Sequence, residues 1–334
     1  LYTAMGWPQI ITAASPGRGV EAWNESADIA ERLGDVDHQL RAIWGLWVDA
    51  INRAEPKTGL HLATRFAKLA ISSPDPADIV IGNRIRGATL HWLGRHAESE
   101  TYLATMLRDY QGLPSTGHVI RFQFDQRVTA QIILSRCKWF LGRQQEAMAD
   151  VVSTLEYAQS VGHYASLTNA LAEAACPLAL MSGQDRLAAE YIALLKEHTK
   201  ATMLDVWRTY AVCFEAELLR RQGDDRTALS QIQSGLQSLR NAGFNLFETM
   251  FITTEARALS GLGRNVEAMN VINTAMEKCA AAGVAWWQPE MLRTKAEIQL
   301  KTSDLGEARS TLALAYEFAQ SAGAIPLLKS VEDS

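Results

Sequence analysis

The sequence has few cysteines, and they lie far apart. Only four occur in 334 residues, and the closest two, Cys176 and Cys213, are 37 positions apart. No CxxC pair and no cluster of cysteine with histidine is present, so the spacing fits neither a zinc site nor a dense disulfide framework. The pattern favours buried, reduced thiols in a cytoplasmic protein.

Long apolar runs, an excess of basic residues and a leader segment are also lacking. No uncharged apolar stretch approaches the roughly 18 residues of a membrane span. Residues 1–14 lack the charged segment and cleavage site of a signal peptide. The net charge of -5 argues against direct nucleic-acid binding. Because the chain begins with Leu1 and not methionine, we expect the native protein to extend further toward the N-terminus.

The usual signatures of catalysis are missing as well. The sequence contains no GxxxxGK[ST], HExxH or GxSxG motif. Gly261-Leu262-Gly263 lacks the third glycine of a dinucleotide fingerprint and is better explained as a helix end. His91 and His96 flank a predicted helix break, which is the wrong spacing for two metal ligands on one helical turn. We therefore expect no enzyme activity, no cofactor and no metal site.

What the sequence does contain is a repeat of about 40 residues. Breaks recur at spacings of 41, 40, 40 and 40 positions, at Gly142, Gly183, Gly223, Gly263 and Ser303. An alanine follows five positions after each break, at Ala147, Ala188, Ala228, Ala268 and Ala308. Glycine tolerates the left-handed conformation of a helix end, and alanine allows two helices to approach closely. Each unit therefore predicts two helices, with helix A before the break and helix B after it.

Stacked helix pairs of this kind predict an all-α fold. We expect an α-solenoid of about eight hairpins that resembles tetratricopeptide arrays and coils as a right-handed superhelix. One repeat domain would fill residues 1–334, with hairpins near 1–34, 36–71, 75–110, 118–162, 165–203, 204–243, 246–283 and 286–323. Pro177 falls inside a predicted A helix and should kink it or start it late.

Aromatic and charged residues on or near A helices are the candidate binding residues. In such solenoids the A helices line the concave surface, where exposed Trp, Tyr and Arg form binding hot spots. The candidates for contact with a ligand or partner are Trp44, Trp47, Arg121, Phe122, Gln123, Asp125, Arg127, Trp207, Arg208, Trp287, Glu290 and Arg293.

Two interpretations of these residues stay open. In the first, Phe122 lies in the core and Arg121 pairs with Asp125 one helical turn away. In the second, the same segment is a polar cluster that faces a ligand. The segments around Trp207 and Trp287 present the same choice.

Charged residues also align one repeat apart on the A helices. Glu217, Arg257 and Glu297 occupy the same position in three successive units. Such a row either lines a groove or forms a solvated, salt-bridged helix face. Nothing pairs these carboxylates with a nucleophile, so the row does not predict catalysis.

Several stretches taken together resemble a known family. They are Leu33-Gly34-Asp35, residues 38–47 (HQLRAIWGLW), residues 121–127 (RFQFDQR), residues 174–177 (AACP), Val206-Trp207-Arg208, and residues 290–293 (EMLR) with Glu297. In this order they are similar to the C-terminal helical-repeat region of bacterial winged-helix transcriptional regulators that carry a signal-transduction (STAND-type) ATPase module. The resemblance spans nearly the whole chain.

This resemblance implies a three-part protein of which the chain holds only the repeat arm. A winged helix would bind DNA, the ATPase module would switch and oligomerise, and the arm would sense an inducer or a partner. In maltose-regulon-type activators the arm binds a small inducer and relieves inhibition of the ATPase. The implied partners are therefore a small-molecule or peptide inducer, or the ATPase module of the same protein.

Two functions remain open from the sequence. A signal-sensing arm would bind its inducer on the concave face, in a pocket near Trp47, Arg121 and Trp207. A pure protein-interaction scaffold would instead present a broad patch without a closed pocket. Full burial of Trp47 and Trp207 between helices would remove the main support for an aromatic groove.

Overall fold

The computed structural model describes residues 18–111, 116–200, 204–302 and 304–332, and all regular elements in these ranges are helical. The first half contains α1 (Arg18–Leu33), α2 (Val36–Asn52), α3 (Pro56–Ala70), α4 (Ala77–Trp92), α5 (His96–Asp109), α6 (Thr116–Phe122), α7 (Gln126–Phe140) and α8 (Gln144–Val161). The second half contains α9 (Tyr164–Ala170), a π-helical turn (Leu171–Ala175), α10 (Cys176–Met181), α11 (Asp185–Lys200), α12 (Asp205–Arg221), α13 (Asp225–Ala242), α14 (Glu248–Gly261), α15 (Asn265–Ala282), α16 (Gln288–Lys301), α17 (Leu305–Ser321) and α18 (Ile325–Glu332).

Neighbouring helices pack as the repeat predicts. Each B helix lies against the A helix before it, as α13 does against α12 and α17 against α16. The A helices also contact one another from repeat to repeat, because α14 lies between α12 and α16. The arrangement is an α-solenoid, so the predicted fold class is confirmed.

The predicted register of the second half is also confirmed. Gly142, Gly183, Gly223 and Gly263 all have positive φ values, between 68° and 89°, as expected of glycines that end helices. The alanines five positions after the breaks are fully buried at the contact between helices A and B. Ser303, the fifth break, lies outside the described residues.

Pro177 interrupts its A helix as expected. The helix changes to a π-helical turn over Leu171–Ala175 and resumes as α10, with Pro177 in its first turn. Proline has no N–H to donate to the preceding turn, which accounts for the break. The short helix α6 and the last helix α18 were not predicted. Residues 1–17 of the first expected hairpin and residues 112–115 of the insertion lie outside the described ranges.

The solenoid closes on itself through an aromatic cluster. We call Trp92, Phe140, Phe247, Trp286 and Trp287 the aromatic plug. The centroids of its contacting rings from different repeats lie 5.1–6.3 Å apart. Loops from the second half bring Phe247, Trp286 and Trp287 to Trp92 and Phe140 of the first half. The Ala285 N–H donates to the Trp92 carbonyl at 3.1 Å, in the loop that carries Trp286 and Trp287.

A second loop makes a similar contact. The Asn245 N–H donates to the Asn52 carbonyl at 2.6 Å, which seats Phe247 against Trp92 and Tyr210. Much of the interior is therefore filled by side chains where an open groove was expected. No helix in the described ranges is both long and apolar enough to cross a membrane.

Candidate ligand-binding cavity

A charged cavity lies beside the aromatic plug. Its volume is about 650 Å³, which is within the range of small-ligand sites. The A helices α12, α14 and α16 form its walls, and α10 and α18 contribute residues at its edges. Its charged lining residues are Glu217, Arg220, Arg221, Asp225, Arg257, Glu290, Arg293, Glu297 and Lys301.

Glu217 is the centre of one ion-pair group in this cavity. Arg220 and Arg221 each donate to its carboxylate, with N–O distances of 2.8 Å. The Thr254 hydroxyl also donates to it at 2.8 Å. Burial acts to raise the pKa of Glu217, but hydrogen bonding to Arg220 and the charges of Arg220, Arg221 and Arg257 outweigh burial and lower it to about 2. Glu217 is therefore a fixed negative charge inside the protein at neutral pH.

Arg257 is the centre of a second group. Its guanidinium donates to Glu290 at 2.7 Å and to Glu297 at 2.9 Å. Arg293 donates to Glu290 at 2.7 Å and also contacts Glu297. Burial opposes the charged form of Arg257, but Glu290 and Glu297 prevail and raise its pKa. The pKa of Glu290 is lowered against its own burial by Arg257 and Arg293.

These contacts give the cavity a defined recognition chemistry. Of its charged lining residues, five are basic and four are acidic, although the whole chain has a net charge of -5. Arginine side chains hold carboxylates through paired N–H donors, and carboxylates accept amide N–H groups. Trp139, Trp287 and Met250 add apolar surface. The lining can therefore hold a ligand that carries polar, charged and apolar groups together.

The row of aligned charges predicted from the repeat lies in this cavity. Glu217, Arg257 and Glu297 all line it, and they are salt-bridged to their neighbours. The sequence predicts that the row either lines a groove or forms a salt-bridged helix face. It does both, because its residues line the cavity and are salt-bridged to other residues of its lining. Of the candidate binding residues, Trp287, Glu290 and Arg293 also line the cavity.

The candidates from the first half lie elsewhere. Trp44, Trp47 and Phe122 line a separate, smaller pocket, and all three are at least 95% buried. Trp207 is also buried, and its ring lies 6.0 Å from that of Phe124. The expected exposure of Trp47 and Trp207 is wrong, because Arg84 and Thr89 of α4 contact Trp47, and Phe124 contacts Trp207. Within the described ranges, these tryptophans therefore do not line an open groove.

Arg121 has other partners than the one expected. Its guanidinium contacts three carboxylates at 2.7–3.0 Å. They belong to Asp37 of α2, Asp75 of the loop between α3 and α4, and Asp78 of α4. The expected pair with Asp125 is wrong, because Asp125 caps α7 by accepting the backbone N–H groups of residues 127 and 128. The first interpretation of Phe122, as a core residue, is correct.

The remaining candidates are not in the cavity. Gln123 is half-buried with φ of 67° at the turn before α7, and Arg127 lies over the ring of Tyr157. Arg208 is exposed and pairs with Asp205 on its own helix. None of these three side chains lines either of the two pockets.

Sequence reasoning missed a buried cluster of His91, His96 and Cys137. The two Nδ1 atoms lie 3.2 Å apart, and Cys137 Sγ lies 3.7 Å from His91 Nδ1. Burial and the charge of Arg136 lower the pKa of both histidines, that of His96 to about 3. Imidazole and thiolate are metal ligands, but the neighbouring Arg136 charge opposes a cation here. The cluster is best described as neutral, hydrogen-bonded core. The sequence does not show that α7 places Cys137 beside His91, and this contact is visible only in the structure.

Comparison with known proteins finds solved structures with a similar fold. No protein-family model matches the chain, and no curated protein matches it. A Rap protein complexed with competence and sporulation factor superposes with a TM-score of 0.67 and 11% sequence identity. The match covers 91% of this chain and 84% of that one. The chain has a tetratricopeptide-like fold.

A second solved structure agrees with the first. It is the Rap conjugation gene regulator of the plasmid pLS20 in complex with a Phr peptide. It superposes with a TM-score of 0.64 and 11% identity over 88% of this chain and 78% of that one. At this identity the two matches establish the repeat fold.

Proposed function

We propose that the chain is a regulatory repeat arm that binds a short peptide in the cavity between α12, α14 and α16. The observation that carries the proposal is the cavity itself: about 650 Å³, lined by paired arginines and glutamates beside Trp139 and Trp287. The arginines of this site are cationic hydrogen-bond donors, and the glutamates are anionic acceptors. Such a site matches the backbone, termini and side chains of a peptide. One of the two similar solved structures, the Rap conjugation gene regulator in complex with a Phr peptide, supports the same ligand class.

The arm would act within a larger bacterial regulator. The segments that resemble the repeat region of winged-helix regulators with a STAND-type ATPase support this context. In such a cytoplasmic protein, a peptide that binds one arrangement of the arm more tightly would shift the population toward it. We propose that this shift acts on the ATPase module of the same protein.

Affinity selection from a random pentapeptide pool tests the proposal. The wild-type chain is expected to retain a subset of sequences identified by mass spectrometry. The double variant Arg220→Gln/Arg293→Gln removes two cavity arginines but leaves Glu217 paired with Arg221, and Glu290 paired with Arg257. We expect it to fold and to lose the retained subset, because charge-assisted hydrogen bonds to the peptide disappear.

The matched control is Arg186→Gln/Arg264→Gln. It removes the same charge from two exposed arginines whose recorded carboxylate partners, Glu190 and Glu267, lie three or four positions further along the chain. This control should retain the wild-type subset. Equal retention by both double variants, or no retention by the wild type, would contradict the peptide site and favour a docking scaffold.

A further inference from the structure

The smaller pocket lies on the other side of the aromatic plug from the charged cavity. Trp92 lines the smaller pocket and Trp287 lines the cavity, while Trp286 contacts both rings. Its volume is about 90 Å³, enough for several groups of the size of a water molecule. The two pockets share no lining residue. A group of a few heavy atoms is the size that fits.

Arg84 is the unusual side chain of this pocket. It is 95% buried, and its guanidinium lies 4.9 Å above the ring of Trp47. Among the residues that the structure describes, its Nε has no hydrogen-bond partner and no carboxylate pairs with it. Burial lowers the pKa of Arg84 to about 9, so it remains charged at neutral pH. A buried, unpaired charge is costly, and one carboxylate would relieve that cost.

The only acidic residue in the lining is already engaged. Glu173 accepts a hydrogen bond from Asn169 at 2.9 Å and lies 3.9 Å from Arg136. Arg136 is itself fully buried over Trp92, with no hydrogen-bond partner in the described ranges. Within the described ranges, neither guanidinium therefore has a carboxylate within hydrogen-bond distance. Arg84 is the one basic residue in the described lining of the pocket.

A π-helical turn and aromatic walls at the smaller pocket also suit ligand binding. Glu173 lies in the π-helical turn over Leu171–Ala175, and such turns occur often at functional sites. Trp44, Trp47 and Phe122 supply apolar walls around the guanidinium. Aromatic walls with one buried cation are suited to an organic anion with an apolar body.

We propose that this pocket binds a carboxylate group, with Arg84 as its charged partner and the aromatic walls enclosing the adjoining carbon atoms. The carboxylate belongs either to a free small organic acid or to the C-terminus of a peptide. Arg84 holds it through paired N–H donors. The proposal goes beyond the peptide site, because a carboxylate can bind here whether or not the larger cavity is occupied.

Thermal unfolding with simple probes tests the proposal. Butyrate is compared with butyramide, its neutral counterpart, at constant ionic strength. We expect butyrate to raise the Tm of the wild-type chain and butyramide not to, since a ligand that binds the folded state stabilises it. Glycyl-alanine is compared with its C-terminal amide in the same way. A larger shift with the dipeptide assigns the site to a peptide terminus, and a larger shift with butyrate assigns it to a free acid.

Variants of α4 identify the residue responsible. Arg84→Met is expected to weaken butyrate binding about tenfold or more, the loss of one charge-assisted interaction. Without a probe its Tm should equal or exceed that of the wild type, because an unpaired charge has been removed from the interior. Arg86→Met is the matched control on the same helix. Arg86 lies over Tyr102, outside the pocket, and its loss should leave the butyrate response unchanged.

Three results would overturn the proposal. They are an equal response to butyrate and butyramide, a butyrate response that survives Arg84→Met, and a butyrate response that Arg86→Met also abolishes. If Arg84→Met does not fold, Arg84→Lys replaces it, and retention of undiminished butyrate binding by Arg84→Lys would also contradict paired donation by Arg84. Because the pockets are separate, loss of butyrate binding with intact peptide selection, or the reverse, shows which of the two sites has failed.

Discussion

Replacing Trp286 with alanine is expected to lower the free energy of unfolding by about 3–5 kcal/mol, the usual cost of truncating a buried aromatic residue. Trp286 is 1% exposed and contacts Trp92, Phe140 and Phe247 from three other helices or loops. Its removal opens a hole where the two halves of the solenoid meet. Denaturant unfolding of the variant measures the loss.

Trp23→Ala is the matched control for this prediction. Trp23 is also buried, but it packs in a small cluster with Ala27 of α1 and Ala42 of α2, near one end of the described chain. In a repeat protein the contacts of one hairpin stabilise mainly its neighbours. We therefore expect Trp23→Ala to loosen α1 locally and Trp286→Ala to destabilise the whole chain. If both variants lower stability equally and only near the substituted residue, the solenoid is open and the aromatic plug does not close it.

Replacing Arg257 with methionine is expected to cost about 3–5 kcal/mol, the usual penalty for removing one partner of a buried ion pair. The side chain lies between Glu290 and Glu297, and Glu290 is itself buried. Without Arg257 both carboxylates depend on Arg293 alone. Their negative charges would then be only partly compensated inside the cavity.

Arg264→Met is the comparison for Arg257→Met. Arg264 is the residue immediately before α15 and forms an exposed pair with Glu267. Water already solvates both groups, so stability should hardly change. Unfolding of the two variants under identical conditions separates a buried network from a surface pair. A small effect of Arg257→Met would mean that the cavity is wet enough to solvate its carboxylates.

The repeat made much of the fold predictable. Gly183 and Gly223 identify helix ends because few other residues adopt positive φ easily, and Ala188 and Ala228 identify the close contacts between helices A and B. The same period placed Glu217 and Arg257 on one face, where the cavity lies. These features depend on local geometry that recurs along the chain, and a single sequence displays them.

The burial of the tryptophans could not be predicted in this way. Trp92 meets Trp286 only because the solenoid turns back on itself, and neither residue's neighbours in the sequence indicate the other. The partners of Arg121 come from the two preceding hairpins, and the sequence pattern does not pair them with it either. Sequence periodicity specifies which face a residue occupies, whereas closure of the solenoid determines whether that face is open.

The most direct test of the account is hydrogen exchange of the chain with and without a peptide selected from the pentapeptide pool. The account predicts that the peptide slows exchange in α12, α14 and α16, where Glu217, Arg257 and Arg293 line the cavity. Slower exchange confined to the B helices α13, α15 and α17 would contradict it, because the peptide would then bind the opposite layer of the solenoid.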